Sequence, residues 1–363
     1  MRARGQVIRG LHTLAAEASI SGIALHSGLA SNVRLKPALA EAGIHFVRTD
    51  HIDSQGVKRI AARPSNVTAT VLSTTIGIDG ESSVGTIEHL MAALCGMGIG
   101  ACCVEVDAPE LPVLDGSAAP WVAAIRKAGV AIADSRIGAA GPAGSECHPP
   151  ADGVVARQPA VLRSTVWVSE GDAWAVAVPS RSPKLTVGIE FPDHPPIGRQ
   201  WASWAPPQDT WRAALGHCSA EHADHGEAGE VGVVGTSAAT AAAASSSSPP
   251  PSFAAAVAPA RTFALAEQIA YLRERGLIKG GSLENALVCD ANGWLNLAPS
   301  GNDTPLRFPN EPARHKLLDL MGDLALLGGG GLPRAHITAF KAGHQLHVAL
   351  AKAIEKHQIE GQS

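Results

Sequence analysis

The residues of this chain that could do chemistry gather in two short stretches. One is His315-Lys316-Leu317-Leu318-Asp319-Leu320-Met321-Gly322-Asp323, and the other is Thr86-Ile87-Glu88-His89-Leu90. In the first, His315, Asp319 and Asp323 fall at i, i+4 and i+8, so they stack as a polar stripe on one helix face. Leu317, Leu320, Met321 and Leu324 recur at helical spacing and would bury another face. An imidazole and a carboxylate one turn apart can reach a single metal ion. An isolated H-x-x-x-D more often marks a solvated helix face; the second stretch changes that balance. Together the two supply a pair of histidines, a carboxylate, and a glutamate beside the first histidine. Three such ligands with an open fourth position are the donor set of a catalytic zinc site. A third stretch, Lys341-Ala342-Gly343-His344, adds another imidazole after a strand-like run.

Several elements must position these groups. Short strand-like runs at His12–Ile20, Val33–Lys36, Ile44–Arg48 and Val71–Ile76 are separated by Gly, Pro, Asn and Asp turns. Thr86 is placed to cap a helix that carries His89 and stops at Gly96 or Gly98. A strand (Ala101–Val106) and a second helix opened by Pro120 follow. The C-terminal part repeats the plan: a helix over 313–327, a strand over Ala335–Lys341, and a helix beginning near His344. The expected fold is therefore α+β: two similar domains from an internal duplication, each layering helices against a sheet. Residues 11–136 form domain I, 137–158 a Gly, Pro and Ala-rich linker, and 159–357 domain II. Within domain II, residues 205–258 contain Ala241–Ala244, Ser245–Ser248 and Pro249–Pro251, too poor in large apolar groups to pack, and most of this segment, short of Ser252, reads as a disordered surface insertion. His217, Cys218, His222 and His225 lie in it and read as incidental composition.

Composition excludes several classes. The 363 residues carry a net charge of −4 with scattered Lys and Arg, which gives no footprint for nucleic acid. No apolar run approaches the roughly 18 residues needed to span a bilayer. Six cysteines without a C-x-x-C read as buried thiols in a reducing compartment, with Cys102 and Cys103 pointing to opposite faces of a strand. Arg2, Arg4 and Arg9, with no acid before Glu17, leave open both an organellar targeting remnant and a plain bacterial start. The expected location is intracellular: cytoplasmic in a bacterium, mitochondrial or plastid in a plant or alga.

At these residues the chain resembles the zinc-dependent UDP-3-O-acyl-N-acetylglucosamine deacetylases of lipid A synthesis. The matching strings are Gly22-Ile-Ala-Leu-His26-Ser-Gly28, Thr86-Ile-Glu-His-Leu90, Leu114-Asp-Gly-Ser-Ala-Ala-Pro120, Arg261-Thr-Phe263, Gly280-Gly-Ser282, His315 to Asp323, and Gly343-His344. They occur in the family's order from about residue 11 to residue 357. Each alone is weak; the ordered set is specific.

The resemblance implies an active site between the two domains and a zinc ion held by His89, His315 and Asp319. It makes Glu88 the general base and His344 the general acid, with Asp323 orienting that imidazole and favouring its charged form. A carboxylate in the first turn of a helix also has a plain electrostatic role there, which is the alternative for Glu88. Lys316 and Thr262 match positions near the substrate, the threonine placed to bond an oxyanion, and Phe263 matches one that packs on the sugar or uridine side. An insert over about 265–295 would line an acyl-chain passage, with Ile269, Ile278, Gly281, Ser282, Ala286 and Val288 at lining positions. An amphipathic helix plus hairpin packed on the core would explain Ile269 and Val288 equally well. The chain departs from the family pattern at Ala264 and Leu265, where some members have Gly-Phe. Val178 stands where some have a lysine near the diphosphate, and Ser73 where a cysteine can lie close to the metal.

The expected reaction is deacetylation of UDP-3-O-[(3R)-3-hydroxyacyl]-N-acetylglucosamine by a monomer. Two other readings are the same chemistry on another acetamido sugar, and a catalytically silent binding protein that keeps the fold.

Overall fold

The computed structural model describes residues 11–51, 58–78, 82–133, 161–207 and 251–360. The linker over 137–158, Arg2, Arg4 and Arg9, and the histidine-rich part of the insertion lie outside the described residues.

The first half runs β1 (His12–Leu14), β2 (Ala18–Ile23), β3 (Ala30–Lys36), β4 (Ile44–Arg48), β5 (Arg59–Ala61), β6 (Val67–Ala69), β7 (Thr75–Ile78), β8 (Ser82–Val84), α1 (Glu88–Gly96), β9 (Cys102–Val106), α2 (Ala119–Ala128) and β10 (Val130–Ile132). Alternation builds the strands: in β3, Ser31, Val33 and Leu35 face inward while Asn32 and Arg34 face water. The five-stranded sheet has the order β2-β3-β9-β4-β5. Its neighbours are antiparallel except β4 and β9, where Phe46 lies opposite Val104 in a parallel pair.

The second half runs β11 (Val166–Glu170), β12 (Ala173–Pro179), β13 (Lys184–Phe191), β14 (Gly198–Trp204), α3 (Phe253–Ala256), β15 (Phe263–Leu265), α4 (Ala266–Glu274), β16 (Leu287–Cys289), α5 (Glu311–Leu324), β17 (Ala335–Phe340) and α6 (His344–Glu360). Its five-stranded sheet has the order β11-β12-β17-β13-β14, with β13 and β17 parallel. Numbered within each sheet, both read first, second, fifth, third, fourth. In both, a histidine-bearing helix precedes the last strand and another helix follows it.

The helices pack against the two sheets over one continuous apolar core, to which Leu90 and Met91 of α1 and Leu317, Leu320 and Met321 of α5 all belong. Every residue of α1 from Glu88 to Cys95 is buried. So are His315, Asp319 and Asp323, and the polar stripe of α5 is not a solvated face. Cys102 lies in the main core and Cys103 in a smaller cluster on the other side of the sheet, as strand alternation requires.

Local chemistry moved several boundaries. The run expected to be a strand over Val71–Ile76 becomes strand only at Thr75, because Leu72 takes a left-handed φ of 65° and breaks the extension. Thr86 does not cap α1; its hydroxyl donates to Glu110 at 2.9 Å instead. Helix α5 begins at Glu311, with Pro312 in its first turn where a missing N–H costs nothing. Strand β15 pairs in parallel with β16, which then turns back at Asp290–Gly293 so that Cys289 bridges Trp294 antiparallel, a short hairpin; α4 has no buried residue, so an amphipathic helix packed on the core does not describe it.

Residues 251–258, at the end of the segment that holds the expected insertion, are part of the fold: Phe253, Ala256, Val257 and Ala258 are buried. The two sides of residues 208–250 meet, since the Trp204 indole N–H donates to the Pro251 carbonyl at 3.1 Å and its ring meets Phe253 edge-on. Closure entropy changes slowly with loop length when the ends are already together. Deleting residues 212–250 is therefore expected to keep the protein soluble and its melting temperature within about 4 °C, measured by thermal unfolding. Loss of the folded state would show that the segment belongs to the core.

Candidate metal centre and active site

Helices α1 and α5 bring His89, His315 and Asp319 together. The His89 and His315 rings meet edge-on at 5.0 Å, and their Nε2 atoms lie 3.7 and 3.3 Å from Asp319 Oδ1. These spacings resemble ion pairs, but burial, with His315 beside it, pushes the His89 imidazole down to about 3, and burial lowers His315 as well. Both rings are therefore neutral. His315 donates its Nδ1–H to the Ala260 carbonyl at 3.1 Å, which leaves the Nε2 lone pair facing Asp319. Asp319 Oδ2 accepts from Lys316 Nζ at 3.0 Å, whereas Oδ1 is buried with no hydrogen-bond partner. A buried anionic oxygen without a donor is costly, and a cation between it and the two imidazoles removes the cost. Ligand atoms about 2.1 Å from a tetrahedral zinc lie about 3.4 Å apart, close to the spacings seen. The residues present fit the metal.

Beside this triad stands a second buried set. Glu88 is 3% exposed, and its Oε2 accepts the Thr74 backbone N–H at 3.0 Å. Its Oε1 lies 4.0 Å from His344 Nε2. Burial pushes the Glu88 carboxyl up to about 7, against the pull of His344 and with help from Asp323 and Asp319. His344 donates Nδ1–H to Asp323 Oδ2 at 2.8 Å, which aims Nε2 back toward Glu88. Burial alone would lower His344; Asp323 and then Glu88 outweigh it and raise the imidazole to about 9. Asp323 Oδ1 accepts the Thr74 hydroxyl at 2.6 Å, so Thr74 joins the two carboxylates. Leu72, Thr86 and Lys341, with φ of 65°, 56° and 54°, stand two or three residues before Thr74, Glu88, His89 and His344.

The remaining expected site residues fall in different surroundings. Lys316 extends its ammonium over the Phe263 ring at 5.7 Å, and Phe263 meets Phe191 edge-on at 5.6 Å. The Thr262 backbone is tied to Gly116 and Leu287, and its hydroxyl has no hydrogen-bond partner among the described residues. Ile269, Ile278, Gly281 and Ala286 are half-buried, Val288 is buried, and Ser282 is exposed in a turn closed by Asn285. Three neighbours of the site carried no sequence signal. Thr74 is an unremarkable turn residue; His347 looked like one of many histidines; Glu110 is a lone acid in a Pro-rich turn. Glu110 accepts from the Thr86 hydroxyl and from the His26 ring and backbone, which fixes the loop before α1.

Two neutral imidazoles facing an unpartnered carboxylate oxygen, with an acid–base pair alongside, form the arrangement of a metal-dependent hydrolase. A family model for UDP-3-O-acyl N-acetylglycosamine deacetylase matches residues 11–220 and 233–356, and the chain belongs to that family. It is similar to the UDP-3-O-acyl-N-acetylglucosamine deacetylase of Nostoc sp., 40% identical over 94% of this chain and 97% of that one. The Thermosynechococcus vestitus enzyme of the same name is 40% identical over 96% and 94%. A probable mitochondrial UDP-3-O-acyl-N-acetylglucosamine deacetylase of Arabidopsis thaliana is 34% identical over 94% and 86%. This protein is a hydrolase of that kind, a deacetylase of lipid A biosynthesis.

If the triad holds zinc, purified protein should carry about one zinc per chain by elemental analysis, removable by a chelator with loss of activity. His315→Ala and Asp319→Ala should each lower that content sharply. Full occupancy in both would remove them as ligands.

Proposed function

We propose that the chain hydrolyses the acetamide of UDP-3-O-[(3R)-3-hydroxyacyl]-N-acetylglucosamine to acetate and the free amine, with zinc held by His89, His315 and Asp319. The observation that carries this is the buried, unpartnered Asp319 Oδ1 facing two neutral imidazoles, with Glu88 and His344 4.0 Å apart beside it. When bound, zinc polarises the amide carbonyl and makes water a nucleophile near neutral pH.

The chain's own residues manage the protons. Glu88, ionised, takes a proton from the attacking water as its oxygen bonds to the carbonyl carbon. Its Oε2 is held by the Thr74 N–H, so Oε1 is the oxygen free to do this. The Thr262 hydroxyl and the Lys316 ammonium are the donors available to the developing oxyanion. As the C–N bond breaks, the nitrogen takes the pair and His344 supplies the proton from Nε2. Asp323 keeps the other ring nitrogen protonated, and with it the ring's orientation. Phe263 offers a face to the sugar, with Lys316 across it. Ile269, Ile278, Gly281, Ser282, Ala286 and Val288 form an acyl-chain passage in this reading, which the lack of buried residues in α4 supports.

The two halves, residues 11–136 and 159–357, read as products of one duplication with the site between them; their common strand order supports this. Among the described residues no helix is long and apolar enough to cross a membrane.

Activity should need Glu88 ionised and His344 protonated. The profile of kcat/KM should then fall below a limb set by Glu88, at about 7, and above one set by His344, at about 9. Both limbs lie at or below those values in the zinc-loaded enzyme, because a nearby cation disfavours protonation. Glu88→Gln should lose the acidic limb and His344→Ala the alkaline one, each with a roughly 10²–10⁴-fold loss of rate and zinc retained. A His344→Ala enzyme with near-normal turnover would remove it from the mechanism.

A further inference from the structure

His347 lies on α6 one turn beyond His344 and is completely buried, yet the deacetylation described above gives it no part. Its Nδ1 is 2.9 Å from Asp323 Oδ2, the same oxygen that His344 Nδ1 approaches at 2.8 Å. The two rings stand edge-on at 6.0 Å. An ionised carboxylate only accepts, so both histidines carry their proton at Nδ1. The Nε2 of His347 is buried without a hydrogen-bond partner, which a charged ring, a donor at both nitrogens, would leave as a buried unpaired N–H. His347 is thus a neutral donor committed to Asp323.

Asp323 therefore takes three donors: Thr74 on Oδ1, and both imidazoles on Oδ2. The charged and titratable groups that face this cluster are Glu88 and His89 from α1, and His315, Lys316 and Asp319 from α5. The inward residues of β11 and β12 against α6, Val166, Ala175 and Ala177, carry no charge. A donor on the oxygen that holds His344 does two things. It fixes the rotamer of the carboxylate, and it draws off some of the negative charge that would bind the His344 proton.

We propose that His347 is a positioning residue which, through Asp323, fixes the aim of His344 and limits how tightly that imidazole keeps its proton. The proposal rests on His344 being the proton donor to the leaving amine. His347→Leu removes the donor at similar bulk, whereas His347→Asn can restore an N–H toward Asp323.

The test is the pH profile of kcat and kcat/KM for the zinc-loaded His347→Leu, His347→Asn and His344→Ala enzymes, with zinc content measured for each. His347→Leu is expected to lower kcat about tenfold at unchanged KM and zinc, and to move the alkaline limb up by about one pH unit. His347→Asn is expected to return both toward wild type. An alkaline limb that disappears in His344→Ala but does not move in His347→Leu overturns the role of His347 alone. A limb that survives in His344→Ala overturns the acid assignment, and this proposal with it. Nitrogen-15 NMR of the histidine rings in the wild-type zinc enzyme decides the matter even if His347→Leu does not fold. A neutral His347 protonated at Nδ1 from pH 6 to 9 is the expected result, and a charged or Nε2-protonated ring overturns the proposal.

Discussion

The site depends on how closely the first turn of α1 lies against the backbone of α5. A Cβ at Gly322 would stand 2.1 Å from the Glu88 carbonyl oxygen and 2.8 Å from its carbon, distances no side chain can occupy. A glycine inside a helix costs about 1 kcal/mol against alanine, so this one is explained by the approach it permits. The approach sets the rest of the geometry. It puts His89, next to Glu88, within ring contact of His315, and places Asp319 opposite both. It also brings Asp323, next to Gly322, to Thr74 and His344. Residues more than 200 positions apart in the chain form one cluster around that backbone contact.

Buried charge then divides the cluster into two kinds of chemistry. Burying a carboxylate is unfavourable unless donors or cations compensate it. Asp323 is compensated fully, by three donors, which suits it to orient those donors. Asp319 has Lys316 on one oxygen and no hydrogen bond on the other, which leaves that oxygen free to bind a cation. Glu88 lies between these cases: one oxygen accepts from Thr74, the other faces His344, and burial makes its proton exchangeable near neutral pH. Leu72, Thr86 and Lys341 hold left-handed backbone at a cost of about 1–2 kcal/mol each. Tight packing between two helices and two sheets gives a reason why that strain persists around the site.

Much of this was legible in the sequence, for identifiable reasons. Helical spacing alone put His315, Asp319 and Asp323 on one face, and the strand at Ile44–Arg48 has the bounds its pattern predicts. The shared order of helix and strand in the two halves was visible from hydrophobic periodicity. The misses arise where a tertiary contact outweighs a local preference. Thr86 looks like a helix cap but bonds Glu110, because the left-handed turn before α1 sends its hydroxyl the other way. The run at Val71 has strand propensity but lies exposed ahead of β7. Thr74 and His347 gave no sign, since nothing in a single sequence shows that a turn residue and a helix residue share one carboxylate with a third.

The most direct test of the central contact is Gly322→Ala, read by zinc content and deacetylase rate on the nucleotide sugar in the same preparation. The methyl group must push α1 from α5, so His89 leaves His315 and Asp319 while Glu88 leaves His344. The prediction is a protein that remains folded by circular dichroism but loses both zinc and activity. A Gly322→Ala enzyme with full zinc and a normal rate would contradict the account.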